Sequence, residues 1–199
     1  MEIKMESIQS CSGCSETERG NRSGFIQRLR SQFGKPTGML GKVAGWIMAH
    51  RPSNRERNAW AVSLLKLQPT DRVLEIGFGP GLAIEQMSTL VTNGQVVGID
   101  HSGIMLAQAR QRNAPAIESG RVKLLLASAS DLPPFHDQFD KCLAVNAIQF
   151  WENPTEVLRN LRQLINPGGR IAVAFQPRFQ GATNEDTKKA GHDMVKKLK

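Results

Sequence analysis

Tyrosine is absent from these 199 residues, and the other aromatics make up only 6% of the chain. Proteins that work on nucleic acids interleave basic residues with aromatics on which bases stack, so a nucleic-acid partner is not expected despite a net charge of +8. That charge is unevenly spread: residues 1–70 carry +6, residues 71–176 carry −1 and residues 177–199 carry +3. Long apolar runs are missing too, none approaching the roughly 20 residues of a membrane span. The opening "MEIKMESIQSCSGCSETERGNRSG" has no apolar core of the kind a secretory signal needs, and a cytoplasmic protein is expected. Cysteine is scarce, with Cys11, Cys14 and Cys142 alone. Cys11-Ser-Gly-Cys14 has the spacing of half a zinc site, but zinc takes four ligands and neither a second pair nor a histidine lies nearby. No metal is expected, and Cys142, in an apolar strand, reads as a core residue.

What is present is an ordinary globular composition, 40% hydrophobic and 22% charged, long enough for one domain with a sizeable core. Residues 1–23 read as a disordered tail. Residues 24–70 read as helices forming a lid or cap. Phe25, Ile26, Leu29 and Phe33 make one apolar stripe and Met39, Leu40, Val43 and Ile47 a second. Flanked by Arg28, Arg30, Lys35, Lys42 and Arg51, these stripes suit either core packing or peripheral contact with an anionic membrane. A third helix is expected from a cap at Ser53, with Glu56 completing a capping box, to about Leu67, its apolar face made by Trp60, Ala61, Leu64, Leu65 and Leu67.

From residue 71 strand and helix patterns alternate. Strands are expected at 72–76, 95–99, 122–126, 140–145 and 170–175, and helices at 82–91, 102–112 and 154–165. Such alternation implies right-handed crossovers and a doubly wound, Rossmann-like parallel α/β sheet covered on both faces. Ligands of such sheets bind beyond the carboxyl ends of the strands. That is where the first strand runs into "VLEIGFGPG", residues 73–81.

This glycine turn excludes two familiar ligand sites. A phosphate-binding P-loop needs Gly-Lys-Ser/Thr at its end, and Gly81 is followed by Leu82-Ala83. The dinucleotide fingerprint spaces its glycines as GxGxxG, whereas Gly77, Gly79 and Gly81 are spaced GxGxG behind an acid, Glu75. Glycines there let a ligand approach the backbone where a Cβ would clash, and a nearby carboxylate suits a cationic ligand. Asp100, at the end of the second strand, can accept hydrogen bonds from both hydroxyls of a ribose.

The acid followed by GxGxG resembles the first motif of the class I S-adenosylmethionine-dependent methyltransferases. Three further stretches, in order over residues 71–176, carry the same resemblance: Asp100, "LLLASASDLPP" (124–134) and "LRQLINPGGRIAV" (161–173). It implies S-adenosylmethionine as cofactor, held by Glu75, Gly77, Phe78, Gly79, Gly81, Asp100, His101, Met105, Ser128, Ala129 and Asn146 in an S-adenosylmethionine-binding domain of residues 71–199. The sequence departs from the family at Ser128, where an acid usually accepts from the adenine amine. It also implies direct displacement at the methyl group, with positioning rather than a catalytic side chain doing the work. None of His50, His101, His136 and His192 is then required as a base.

The loop after the fourth strand, "NAIQFWENP", lacks the Asn-Pro-Pro-aromatic pattern of many amine and amide methyltransferases. It is similar to the small-molecule and lipid-quinone branch, and Trp60, Gln149 and Trp151 are the expected acceptor-facing residues. Core packing accounts for the aromatics equally well. A cofactor-binding but catalytically silent interaction protein is the alternative function. Residues 183–198 read as a last helix capped by Thr183 or Asn184, with no strand pair after it. The family's final hairpin is therefore expected to be missing. An open edge on the fifth strand would then pair in a homodimer or be covered by the tail.

Overall fold

A computed structural model of the chain describes residues 52–176, together with residues 183, 185–189, 191 and 192. The tail, the Cys11/Cys14 pair, the two N-terminal stripes and any covering of the fifth strand by residues 177–182 lie outside the described residues. The elements run α1 (Pro52–Leu64), β1 (Arg72–Ile76), α2 (Leu82–Leu90), β2 (Gln95–Asp100), α3 (Gly103–Arg112), α4 (Ala114–Glu118), β3 (Val122–Leu126), β4 (Phe139–Val145), a 3-10 turn (Ile148–Phe150), α5 (Pro154–Gln163) and β5 (Ile165–Ala174).

The five strands form one sheet in the order β3-β2-β1-β4-β5, and every pairing is parallel. Strand side chains alternate between faces, and the core divides accordingly. Val73, Val96, Val122, Leu124 and Leu143 pack with Ala61, Val62 and Leu65 of α1 and Ile84 and Met87 of α2. Leu74, Ile76, Val97, Ile99, Cys142 and Ala144 pack with Val157, Leu158 and Leu161 of α5 on the other side. The order reverses between β1 and β4, so the segments leaving these neighbours diverge and a crevice opens at their carboxyl ends.

The doubly wound sheet is the one expected, and three local readings are corrected. Helix α1 begins at Pro52, which puts Ser53 inside its first turn rather than ahead of it as a cap. It also ends earlier than Leu67, because Lys66 adopts a left-handed φ of 50° and no helix continues through that. Strand β5 starts at Ile165, not residue 170: Ile165 pairs with Phe139, and the Pro-Gly-Gly segment is absorbed as an irregularity between Phe139 and Lys141. Helix α4 was not anticipated; Pro115 near its start and only five residues give it no periodic pattern. Beyond the sheet, residues 185–189 are helical, and Thr183 and Asp186 cap each other reciprocally.

Phe139 anchors the amino end of the sheet. It is fully buried, meets Phe135 edge-on at 5.0 Å and carries the Arg72 guanidinium 4.4 Å above its ring. Phe139→Ala should therefore cost about 3–5 kcal/mol of stability, measured by urea unfolding. A loss below about 1 kcal/mol would contradict this placement.

Candidate functional site

The crevice is floored by the turn between β1 and α2. Gly77, Gly79 and Gly81 all have left-handed φ values, 78°, 53° and 81°, which side chains with a Cβ adopt at a cost. Their surroundings differ. A Cβ on Gly77 would stand 2.6 Å from the Ala147 Cβ in the segment after β4, and one on Gly81 would stand 2.7 Å from Asn113 Nδ2 and 2.8 Å from the Ala109 Cβ. A Cβ on Gly79 would meet no protein atom within 4 Å. The outer glycines are set by packing against the protein's own elements, whereas the middle one has open space where a Cβ would stand.

Two acids lie beneath this turn. The Asp100 carboxylate accepts the Gly79 N–H at 2.8 Å and the Ser102 N–H at 2.9 Å. His101 Nδ1 lies 3.8 Å from it. Burial raises the Asp100 pKa, against the lowering effect of the two amides and of His101. Glu75 is only 1% exposed, and its Oε2 has no hydrogen-bond partner among the described residues. Burial first, and the Asp100 charge second, push its pKa up to about 8. Cys142, buried and close enough to feel Glu75, is pushed up to about 12 and stays a thiol.

Other expected residues are placed as follows. Phe78 and Met105 are buried in the core, and the Phe78 ring packs over Gly98. Ser128 is exposed and its hydroxyl accepts the Ser130 N–H at 3.2 Å. Ala129 packs partly against the α5-side core. Asn146 has a left-handed φ of 50°; its side chain accepts the Gln176 N–H at 2.9 Å and its carbonyl accepts from Gln149 Nε2 at 2.7 Å. Trp60 is half-buried against the α1-side core. Trp151 is 9% exposed and packs with Val157 and Leu158, while its neighbour Phe150 is 48% exposed.

Sequence reasoning missed the groups that hold this arrangement from outside. Arg112 Nε donates to the Pro80 carbonyl at 3.0 Å, and Asn113 Nδ2 donates to the carbonyls of Gly81 at 3.2 Å and Ala109 at 2.9 Å. Arg57 donates to Asn54 Oδ1 at 2.7 Å and to Gln176 Oε1, tying α1 to the end of β5. The one available signal was an asparagine directly after the α3 pattern, where helices end. Among the described residues no cluster of potential ligands could hold a metal, and no helix is long and apolar enough to cross a membrane.

Residues 74–173 match the family described as "Methyltransferase domain". The chain is 33% identical over 157 residues to the "Uncharacterized methyltransferase YdaC" of Bacillus subtilis, across 79% of this chain and 83% of that protein. It is 28% identical over 166 residues to the "Ubiquinone/menaquinone biosynthesis C-methyltransferase UbiE" of Geotalea daltonii, across 82% of this chain and 67% of that one. Among solved structures, a SAM-dependent methyltransferase from Geobacter sulfurreducens in complex with S-adenosyl-L-homocysteine superposes with a TM-score of 0.52. Its identity is 26%, over 63% of this chain and 51% of the other. The chain spans about half the length of the solved structures it matches.

Glu75 gives a pH dependence whose sign is fixed. Its carboxyl titrates near 4.5 when exposed and near 8 in the fold, so between these values the folded chain holds a proton that the unfolded chain releases. The Glu75 contribution to stability is complete below the lower value and is lost as pH rises to the upper one. Glu75→Gln should remove that part of the slope in urea midpoints taken from about pH 5 to 9. Identical slopes in variant and wild type would contradict the burial of Glu75.

Proposed function

Because the chain belongs to the class I S-adenosylmethionine-dependent methyltransferases, we propose that it transfers a methyl group to a small-molecule or lipid-like acceptor through the crevice at the ends of β1 and β4. The observation that carries this reading is Gly79, the one glycine of the turn at which an added Cβ would meet open space rather than protein. S-adenosylmethionine is the cofactor of this family and supplies a methyl group activated by a sulfonium. The residues present fit it. The ligand carries an ammonium and a sulfonium but no phosphate. The turn matches this with an unpartnered buried carboxylate oxygen on Glu75 and no lysine after Gly81.

On this reading Gly79 lets the backbone approach the cofactor, while Gly77 and Gly81 let the turn that holds it pack against Ala147 and α3. Glu75 offsets its positive charge, and Asp100, with lone pairs left beyond its two amides, accepts from the ribose hydroxyls. His101 borders the ribose. Ser128 and Ala129 border the adenine, with Ser128 as a weaker acceptor than an acid. Phe78 and Met105 support the site from the core, and Asn146 fixes the turn after β4. Positioning and exclusion of water are then the chain's contribution, and no side chain is assigned as a proton acceptor.

A small or lipid-like acceptor is supported by the relative from Geotalea daltonii, named for quinone biosynthesis. It is further supported by the exposed Phe150 ring beside Gln149 and by the half-buried Trp60 on α1. Trp151, which packs with α5, supports the acceptor side on this reading. Cytoplasmic residence fits such a role, and contact of the N-terminal stripes with a membrane would bring the protein to a lipid-like acceptor. A homodimer through β5 is compatible with it.

Two measurements test this. Asp100→Ala should weaken S-adenosylhomocysteine binding by about 2–4 kcal/mol, since charge-assisted hydrogen bonds to the ribose and the tether on Gly79 go together; affinity equal to wild type would contradict the assignment. With radiolabelled S-adenosylmethionine and a cell extract, label should enter the solvent-extractable small-molecule and lipid fraction. Label in protein or nucleic acid instead would overturn the acceptor class.

A further inference from the structure

We propose that Arg112 is a positioning residue for cofactor binding: with Asn113, it fixes the peptide planes of the glycine turn from the side opposite the crevice. The inference rests on the reading of that turn as the S-adenosylmethionine site.

Three residues with left-handed φ in a stretch of five give the turn unusual freedom. Helix α2, which follows it, is capped by Gly81 with no side-chain hydrogen bond. On the β2 side the Gly77 N–H is held by the Ile99 carbonyl and the Gly79 N–H by Asp100; the side chains that hold the Pro80 and Gly81 carbonyls come from the end of α3. Arg112 reaches the Pro80 carbonyl through Nε and Glu85 Oε2, in the first turn of α2, through Nη1 at 3.3 Å. Asn113, buried, reaches the Gly81 carbonyl through Nδ2.

A planar trans peptide points its C=O and N–H in opposite directions. Holding the Pro80 carbonyl toward Arg112 therefore turns the Gly81 N–H away, where it donates to the Phe78 carbonyl at 3.0 Å and closes the turn. Holding the Gly81 carbonyl toward Asn113 turns the Leu82 N–H away from α3; as the first residue of α2, Leu82 has no intrahelical acceptor. The other end of α3 is fastened as well. Ser102, its cap, accepts the Met105 N–H through Oγ and donates its own N–H to Asp100. One ten-residue helix, about 15 Å long, thus has one end on Asp100 and the other on the glycine turn. It sets the spacing of the two groups that must grip one ligand, so that less ordering remains to be done on binding.

The test uses a matched pair. In Arg112→Gln the side-chain amide nitrogen falls at the chain position of Nε and keeps a donor for Pro80. Arg112→Met is of similar length and keeps none. Calorimetry with S-adenosylhomocysteine should show Arg112→Met binding about five- to ten-fold weaker than wild type and Arg112→Gln within about twofold of it. Both variants should unfold at the same temperature without ligand, which separates the effect from general stability. Glu85→Gln, which removes the ion pair and leaves Nε in place, should bind as wild type does. Equal affinities for the Met and Gln variants, whether both normal or both weakened, would overturn the inference. So would a loss in Glu85→Gln as large as in Arg112→Met. A wild-type protein that binds no S-adenosylhomocysteine would remove the cofactor reading, and this inference with it.

Discussion

The carboxyl end of the sheet is organised by two carboxylates held out of water on adjacent strands. Burying an acid without a partner is costly, and burying two side by side is worse. The chain resolves the two cases differently. Asp100 receives two backbone amides, one from the glycine turn and one from the start of α3. Glu75 leaves Oε2 unpartnered among the described residues and instead keeps a proton to a pH well above the carboxylate range. The Asp100 contact bears on the middle glycine of the turn: the Gly79 amide reaches the carboxylate with the backbone left-handed there.

Topology supplies the rest. Because the order reverses between β1 and β4, the turn after β1 and the segment after β4 frame one crevice and meet closely where Gly77 admits Ala147. Each frame is then braced from outside. The end of α3 braces the glycine turn. On the other side a chain of hydrogen bonds runs from Arg57 on α1 through Gln176 to Asn146 and braces the segment after β4. Both segments that frame the crevice are thus held by partners in other elements.

Much of this was legible in the sequence, for physical reasons. Strands β1 and β3 were read residue for residue, because a buried parallel strand is a short apolar run bounded by turn residues. The glycine turn and Asp100 were legible because their chemistry is local and rare. What escaped depends on contacts far apart in the chain. The start of β5 is decided by Ile165 finding Phe139, 26 residues earlier, and no local pattern reports that. Arg112 reads as an ordinary basic residue at a helix end until its partner, Pro80, is seen. Trp151 could be read either toward an acceptor or toward α5, and its burial against Val157 and Leu158 favours packing.

The central claim is that Glu75 is a buried acid whose charge waits on a cation. The direct measurement is the number of protons released on ligand binding. S-adenosylhomocysteine, which carries the ammonium, is titrated into the protein at about pH 7 in two buffers of different ionisation enthalpy. The account predicts an apparent binding enthalpy that differs between the buffers, reporting net proton release, and a difference that vanishes in Glu75→Gln. Equal enthalpies in both buffers for the wild-type protein would contradict it.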